Sequence, residues 1–442
     1  MSRRWQTCSV LFGIPFAALL VVAACTGEDP ELGVAPADSG PGVDTSALQN
    51  DSGSNGNVDS GAPGCPTDTA DCDGVPSNGC ETNIKVTPTH CGKCDHACGG
   101  AATCTGGVCD AEKLKDSLDH PFAMETANGR LVWYSGNGSY IDGCRADDCS
   151  TSHLRLVEVN QSSVASLQNN VDWSAHQIYI AGNLFYFGQC PNNQSTDCVV
   201  HSCPLTGCKL SGELQVAPSP FAMKKFHDVY GGGGAVFTYQ SADISIFRWD
   251  LVDAGVASPN YNVAETVEGL WADNTRIIYT DDNKSEVNPT GGVYTCPVTG
   301  CTGARTQLLG HPVRLLAVGG GRAITSNTGT NAGTSSVLAC DYVNGCGLSG
   351  DVLATNQAYV RDIAADDTAV YWVTAGTSDV KTGNAAIGTV MRCALPKCAG
   401  GPTKIADAVT NPVSVRVDKD YVYWLTFGTP GQMNGAVWRR RR

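Results

Sequence analysis

Seven times the chain repeats one pattern: a short strand, a tight turn, and a second strand built around a bulky residue. The second strands read Leu-Val-Trp-Tyr from Leu131, Leu-Phe-Tyr-Phe from Leu184, Ala-Val-Phe-Thr from Ala235 and Ile-Ile-Tyr-Thr from Ile277. They continue as Arg-Ala-Ile-Thr from Arg322, Val-Tyr-Trp-Val from Val370 and Val-Tyr-Trp-Leu from Val422. The central residues Trp133, Tyr186, Phe237, Tyr279, Ile324, Trp372 and Trp424 follow one another at 53, 51, 42, 45, 48 and 52 positions. A β-patterned unit of this length cannot bury its apolar face alone. Stacking such units radially around an axis buries every face, which is the logic of a β-propeller with one four-stranded blade per repeat.

The sixth repeat shows the unit in full. Tyr359 to Ala364 reads as an innermost strand, Asp366-Asp367-Thr368 as a turn, and Val370 to Thr374 as a second strand with Trp372 between neighbouring blades. Residues 388–393 form the third strand, Cys393 to Cys398 a turn, and residues 403–406 the outer strand. No segment sustains a 3.6-residue apolar period, so helix is expected to be scarce. The seventh repeat stops after its third strand. Residues 111–116 are patterned like an outer strand, and their pairing with residues 435–440 would close the ring and remove an exposed sheet edge. The predicted fold is all-β: a seven-bladed propeller over 111–442, closed by an N-terminal strand and preceded by a small disulfide-rich module.

The N-terminus is a targeting segment. Arg3 and Arg4 precede fifteen apolar-patterned residues, Val10 to Ala24, and then Cys25. That stretch is short for a membrane span and its flanks are those of a signal peptide. Val22-Ala23-Ala24-Cys25 resembles the bacterial lipobox, which implies cleavage after residue 24 and lipidation (diacylglyceryl and palmitate chains) of Cys25. Thr26 stands where an Asp would signal inner-membrane retention in related lipoproteins, so the resemblance implies the outer membrane. Residues 25–64 then form a tether. Positions 26–64 hold seven acidic side chains and no Lys or Arg, too little apolar surface to offset chain entropy, so they are expected to stay disordered.

The net charge of −14 excludes a nucleic-acid partner, which demands clustered cations. The exception is the run Arg439 to Arg442. It is a candidate contact for anionic lipid or a phosphorylated glycan, and more simply a solvated strand end that guards a sheet edge.

Of 22 cysteines, Cys8 leaves with the signal and Cys25 takes lipid; the remaining twenty read as disulfides in an exported chain. Cys65, Cys72, Cys80, Cys91, Cys94, Cys98, Cys104 and Cys109 staple a module over 65–110 whose core is too small to hold by itself. Eight cysteines allow 105 connectivities, and spacing chooses none of them. Cys91-x-x-Cys94 with Cys98, His90 and His96 has the look of a zinc site, but behind an export signal disulfides are expected. In the repeats, Cys144/Cys149, Cys203/Cys208, Cys296/Cys301, Cys340/Cys346 and Cys393/Cys398 read as clamps across the hairpin between third and outer strands. Cys190/Cys198 forms an additional pair. No metal or cofactor is expected. The tether aspartates are a candidate for Ca²⁺ only at a spacing that fits no EF-hand loop.

Two resemblances follow from these residues. Asp71-Cys-Asp-Gly, Asn78-Gly-Cys-Glu-Thr and Cys91-Gly-Lys-Cys94 resemble a Cys-rich module of secreted myxobacterial proteins, which implies an extracytoplasmic spacer or interaction module. The strands Val-Tyr-Trp-Val-Thr and Val-Tyr-Trp-Leu-Thr resemble those of YWTD-type propellers, which usually have six blades and bind proteins without catalysis. Together the lipobox, tether, module and clamped repeats resemble a myxobacterial type of lipoprotein.

Catalytic patterns are missing. There is no Gly-x-Ser-x-Gly and no His-Glu-x-x-His. Gly231 to Gly234 reads as a hairpin turn, His227 as a residue at a turn near Tyr230, and Asp281/Asp282 and Asp366/Asp367 as turn or strand-end carboxylates. The expected function is therefore a lipid-anchored binding module of the cell envelope with a protein or glycan ligand. The alternatives are a propeller enzyme (polysaccharide lyase, glycosidase or quinone-dependent dehydrogenase) and a passive coat protein. Ionisable residues gathered at the channel would favour the enzyme, and an exposed aromatic patch would favour binding.

Overall fold

The computed structural model describes residues 65–75, 77–98, 102–136, 140–158, 178–189, 199–208, 226–240, 245–251, 257–262, 267–281, 291–301, 305–327, 335–347, 349–375 and 386–442. Cys25, the acidic tether, Cys190 and Cys198 lie outside them.

Seven antiparallel sheets follow one another along the chain, each ordered from an innermost to an outer strand. Blade 1 is Phe122–Ala127, Arg130–Ser135, Tyr140–Arg145 and Leu154–Glu158. Blade 6 is Val360–Ala365, Ala369–Thr374, Ile387–Ala394 and Thr403–Thr410. Blade 2 shows three strands among the described residues, beginning with Tyr179–Ala181. Blade 7 has Pro412–Val417, Tyr421–Thr426 and Gly435–Arg441, and its fourth strand is Glu112–Leu118 from the start of the domain. The closing register sets Val437 opposite Lys115, Trp438 opposite Lys113 and Arg439 opposite Glu112. The protein is a seven-bladed β-propeller whose last sheet joins both ends of the ring.

All seven repeat anchors are buried. Each lies opposite an innermost-strand residue, as Trp372 does Ile363 and Trp424 does Val415. Side chains of this size, packed against a neighbouring blade, supply much of the inter-blade apolar contact. In six of the blades, two kinds of turn join the innermost and second strands. Asn128-Gly129, Gly233-Gly234 and Gly320-Gly321 hold positive φ at both positions, the turn whose twist matches a hairpin. Blades 4, 6 and 7 instead use Asp273, Asp366 and Asp418, whose carboxylates accept from backbone N–H groups two and three residues on. His227 falls within the strand Phe226–Gly232 rather than at the turn, because Gly233 and Gly234 supply the reversal.

One four-residue helix, Cys149–Ser152, caps the first clamp, with Asp148 accepting from the Thr151 N–H. Disulfides join Cys144 to Cys149, Cys203 to Cys208, Cys296 to Cys301, Cys340 to Cys346 and Cys393 to Cys398, each where a third strand turns toward the outer one. In the module the pairs are Cys65–Cys80, Cys72–Cys94, Cys91–Cys104 and Cys98–Cys109. Its regular structure amounts to two-residue strands around buried Cys91, Cys104 and Cys109, so the cross-links stand in for a core.

The four C-terminal arginines are neither a lipid-facing patch nor a solvated strand end. Alternation along the strand sends them to opposite sides. Arg440 donates to the Ile405 carbonyl, and Arg442 reaches Asp366 at 2.7 Å and Thr368 at 2.8 Å, all in blade 6. Arg439 bonds Glu112 at 2.8 Å and the Ala146 carbonyl in blade 1, while Arg441 donates to the Ala97 carbonyl of the module at 2.7 Å. The guanidinium groups rivet the seam where the ring closes.

Candidate functional site

Strand order gives the propeller two unlike rims. One carries the turns between innermost and second strands, the five clamp disulfides, the C-terminal arginines and the module, which leads directly into the closing strand. The opposite rim carries the connections from second to third strands and from each outer strand to the next blade. Connections on that rim are free to vary without disturbing a clamp. Among the described residues, exposed Tyr359, Ile387 and Met433 stand there, in blades 6 and 7.

Near the axis, ionisable side chains gather on three adjacent innermost strands. Arg416 of blade 7 donates from Nε to Glu125 of blade 1 at 3.1 Å and from Nη1 to Asp362 of blade 6 at 2.8 Å. Asp362 also accepts from the Ser414 hydroxyl at 2.7 Å and the Val415 N–H at 2.9 Å, and the Ser414 hydroxyl accepts from the Met124 N–H. Burial pushes the Glu125 carboxyl above the usual range, against the pull of Arg416. Burial also opposes the charge on Arg416, but Asp362 and Glu125 outweigh it and hold the guanidinium more firmly protonated than usual. The cluster satisfies its own hydrogen bonds. It ties blades 6, 7 and 1 together at the hub rather than presenting a separated acid and base to a substrate.

A second feature opens toward the other rim, between blades 6 and 7. It is a cleft of about 370 Å³. One wall is a cross-strand row on blade 7: Trp424, then Trp438, then Lys113 of the closing strand. The two indoles are parallel, with ring centroids 6.3 Å apart, and the Lys113 ammonium lies 5.0 Å over Trp438. The facing wall is the end of blade 6's outer strand, which bulges between Ala406 and Val409, with Ala408 at φ +51°. Hydrogen bonds from Lys404 and the Ala408 N–H hold the Asp407 carboxyl below its ordinary pKa.

Asn411 fixes the cleft's geometry. It is fully buried at φ +46°, a left-handed conformation that Asn tolerates better than most residues. Its side chain accepts from the Ala386 N–H at 2.8 Å and donates to the Gly428 carbonyl at 2.6 Å; its backbone carbonyl accepts from the Phe427 N–H. The second-to-third connections of blades 6 and 7 are thereby pinned together. His120 packs against Phe427 with the rings tilted at 52° and accepts from the Gly431 N–H, and Asn434 accepts from the Thr429 N–H across the same loop. Thr410, Thr426 and Thr429 add hydroxyl groups to the lining.

Sequence reasoning named none of Glu125, Asp362, Arg416, Asn411 or Thr410. Superposing the repeats on one another would have marked Glu125, Asp362 and Arg416, because charged side chains there interrupt positions that are small or apolar in most sibling blades.

No family model matches the chain, and no curated protein matches it. Solved propellers do. The WD40 domain of Pan2 from Neurospora crassa is 9% identical, over 75% of this chain and 96% of that one, with a TM-score of 0.49. The β-propeller domain of the Trilobed protease from Pyrococcus furiosus is 10% identical, over 73% and 97%, with a TM-score of 0.47. The PQQ-bound aldose sugar dehydrogenase of Streptomyces coelicolor is 11% identical, over 75% and 98%, with a TM-score of 0.42. Likeness at this level carries no argument about ligand or chemistry, and the assignment of the fold rests on the strand order itself.

Proposed function

We propose that the protein is a lipid-anchored binding module of the cell envelope, of the myxobacterial lipoprotein type with YWTD-like strands. Cys25 would hold the chain in the outer membrane, the acidic tether would set the distance, and the propeller would present its unclamped rim. The observation that carries this reading is the two-rim polarity. The module joins the propeller on the clamped rim through Arg441 and the closing strand, while the cleft and the exposed side chains of blades 6 and 7 lie toward the other rim. Ionisable residues do gather at the hub, the feature expected of the enzyme alternative, but Glu125, Asp362 and Arg416 bond one another, which fits a structural tie better than an acid–base pair.

Two measurements test the proposal. Changing Cys25 to Ser should release the protein from the membrane fraction and remove the lipid mass; a variant that stays membrane-bound with unaltered mass rejects the anchor. The full chain, purified and immobilised, should retain a component of the envelope fraction. Failure to retain any, together with turnover of a polysaccharide, would favour the enzyme instead.

A further inference from the structure

Asn411 and His120 hold the same place at successive crossings from one blade to the next. Each comes before a proline at the start of an innermost strand, Pro412 or Pro121. Each has φ +46°, and each follows a second left-handed residue three positions earlier, Ala408 at +51° or Ser117 at +57°. Both reach the connection between the second and third strands of blade 7, residues 427–434. Asn411 donates to the Gly428 carbonyl at 2.6 Å, at the base of that connection. His120 accepts from the Gly431 N–H at 3.3 Å, nearer its tip. The difference between the two ties is chemical: an amide keeps its donor and its acceptor at every ordinary pH, and an imidazole does not.

The partners of the ring define its working state. Nδ1 lies 2.6 Å from a carboxylate oxygen of Asp119, so that nitrogen carries the proton. Nε2 then offers the lone pair that accepts from Gly431. The side chain is largely enclosed, 11% exposed, with Phe427 against the ring. Asp119 is the charge that faces it. The 427–434 connection carries no titratable side chain, and Lys113 and Asp116 of the closing strand pair with each other. Blade 1 sets the Tyr140 ring against Gly136, whose N–H donates to the Asp119 carbonyl. A proton added at Nε2 keeps the Asp119 bond but turns N–H against N–H at Gly431, and that bond is lost. The base of the connection does not depend on the ring. Asn411 still holds Gly428, and the Asn434 side chain still accepts from the Thr429 N–H at 2.7 Å. The loss is confined to the tip, which ends in Met433, 65% exposed.

We propose that His120 is a proton-operated latch on the tip of the blade 7 connection: neutral, it holds the tip at Gly431, and protonated, it lets the tip go. Gly428, Thr429 and Asn434 of this connection line the cleft between blades 6 and 7, so the latch governs one edge of that cleft. The unclamped rim thus carries one fixed tie, at Asn411, and one acid-sensitive tie, at His120.

The test is amide hydrogen exchange on the full chain in detergent, read by mass spectrometry on peptides covering residues 427–434. It compares about pH 8 with about pH 5, the span over which an imidazole changes charge, after correction for the intrinsic pH dependence of exchange. Protection of the wild-type tip should fall about fivefold at the acid end, the worth of one ordinary hydrogen bond. The strand Ala369–Thr374 of blade 6 serves as the internal reference and should keep its protection. His120→Asn puts the amide of Asn411 at the sibling position and tolerates the left-handed backbone, so its tip should be equally protected at both pH values. His120→Gln is a second non-titrating variant with the same expectation. Wild-type protection unchanged by pH would overturn the latch. So would a pH dependence that survives in both variants, or a loss of protection in the blade 6 strand that accompanies the loss at the tip.

Discussion

Arg439 bonds Glu112 across the closing seam of the ring, its guanidinium Nε 2.8 Å from the carboxylate of a residue 327 positions earlier. Arg439 is 5% exposed and also donates to the Ala146 carbonyl, so one side chain joins the last strand to the closing strand and to blade 1. Removing it leaves the partly buried Glu112 carboxylate without its cation. We expect Arg439→Ala to cost about 3 kcal/mol in denaturant unfolding, at the lower end for a broken buried pair. Because Arg441 binds the module, a fragment beginning at residue 111 should also unfold at lower denaturant than one beginning at residue 65. Equal midpoints would show that the module contributes nothing to closure.

His201 is buried in the third strand of blade 2 and stacks on Phe187 at 5.3 Å. Burial holds its imidazole below the ordinary value of 6.5. The unfolded chain protonates this ring near 6.5 while the folded one resists, so the unfolded state binds more protons below that pH. Its contribution to stability is present above 6.5 and is lost as acidification continues toward the lower folded pKa. The melting temperature should fall between pH 7.5 and 5.5, and His201→Phe should flatten part of that slope. A variant with the wild-type slope would assign the pH dependence elsewhere.

The clamps close short loops. Cys393 and Cys398 are separated by 5 positions, whereas Cys72 and Cys94 in the module are separated by 22. Replacing both cysteines of the clamp with serine should cost about 2 kcal/mol, and replacing the module pair about 3 kcal/mol, in the chain-entropy account. Paired chemical denaturation of the two double variants measures the order. A clamp that costs more than the module pair would show that its role lies in the native state.

The interface of blades 5 and 6 carries one buried hydrogen bond that can be removed alone. Gln357→Ala removes the acceptor of the Trp372 N–H and should destabilise the protein by about 1–2 kcal/mol, the cost of an unsatisfied buried donor. A denaturation midpoint equal to that of the wild type would show that this bond contributes nothing to the interface.

Much of the wheel was legible in the chain. Trp133, Trp372 and Trp424 mark their strands because each blade needs a large apolar side chain at the same place, and even Ile324, the weakest match, is fully buried. The closing strand was legible because its pattern matches the outer strands it replaces, although pairing extends to Leu118 rather than stopping at residue 116. The candidate site was hidden. Arg416, Glu125 and Asp362 are far apart in sequence and meet only because adjacent blades bring innermost strands side by side. The terminal arginines were misread for the same reason: nothing local shows that their partners are Glu112, Ala97, Ile405 and Asp366.

What the sequence determined alone was the periodic part: seven units, the residue each buries, the turns that separate strands, and cysteines close enough to clamp one hairpin. These are local requirements of strand alternation, turn conformation and chain reach. Only the tertiary structure decided which of 105 pairings the module adopts and how charges at the hub and seam are paired. Those outcomes depend on distances between segments hundreds of residues apart, which are set by packing the blades around a common axis.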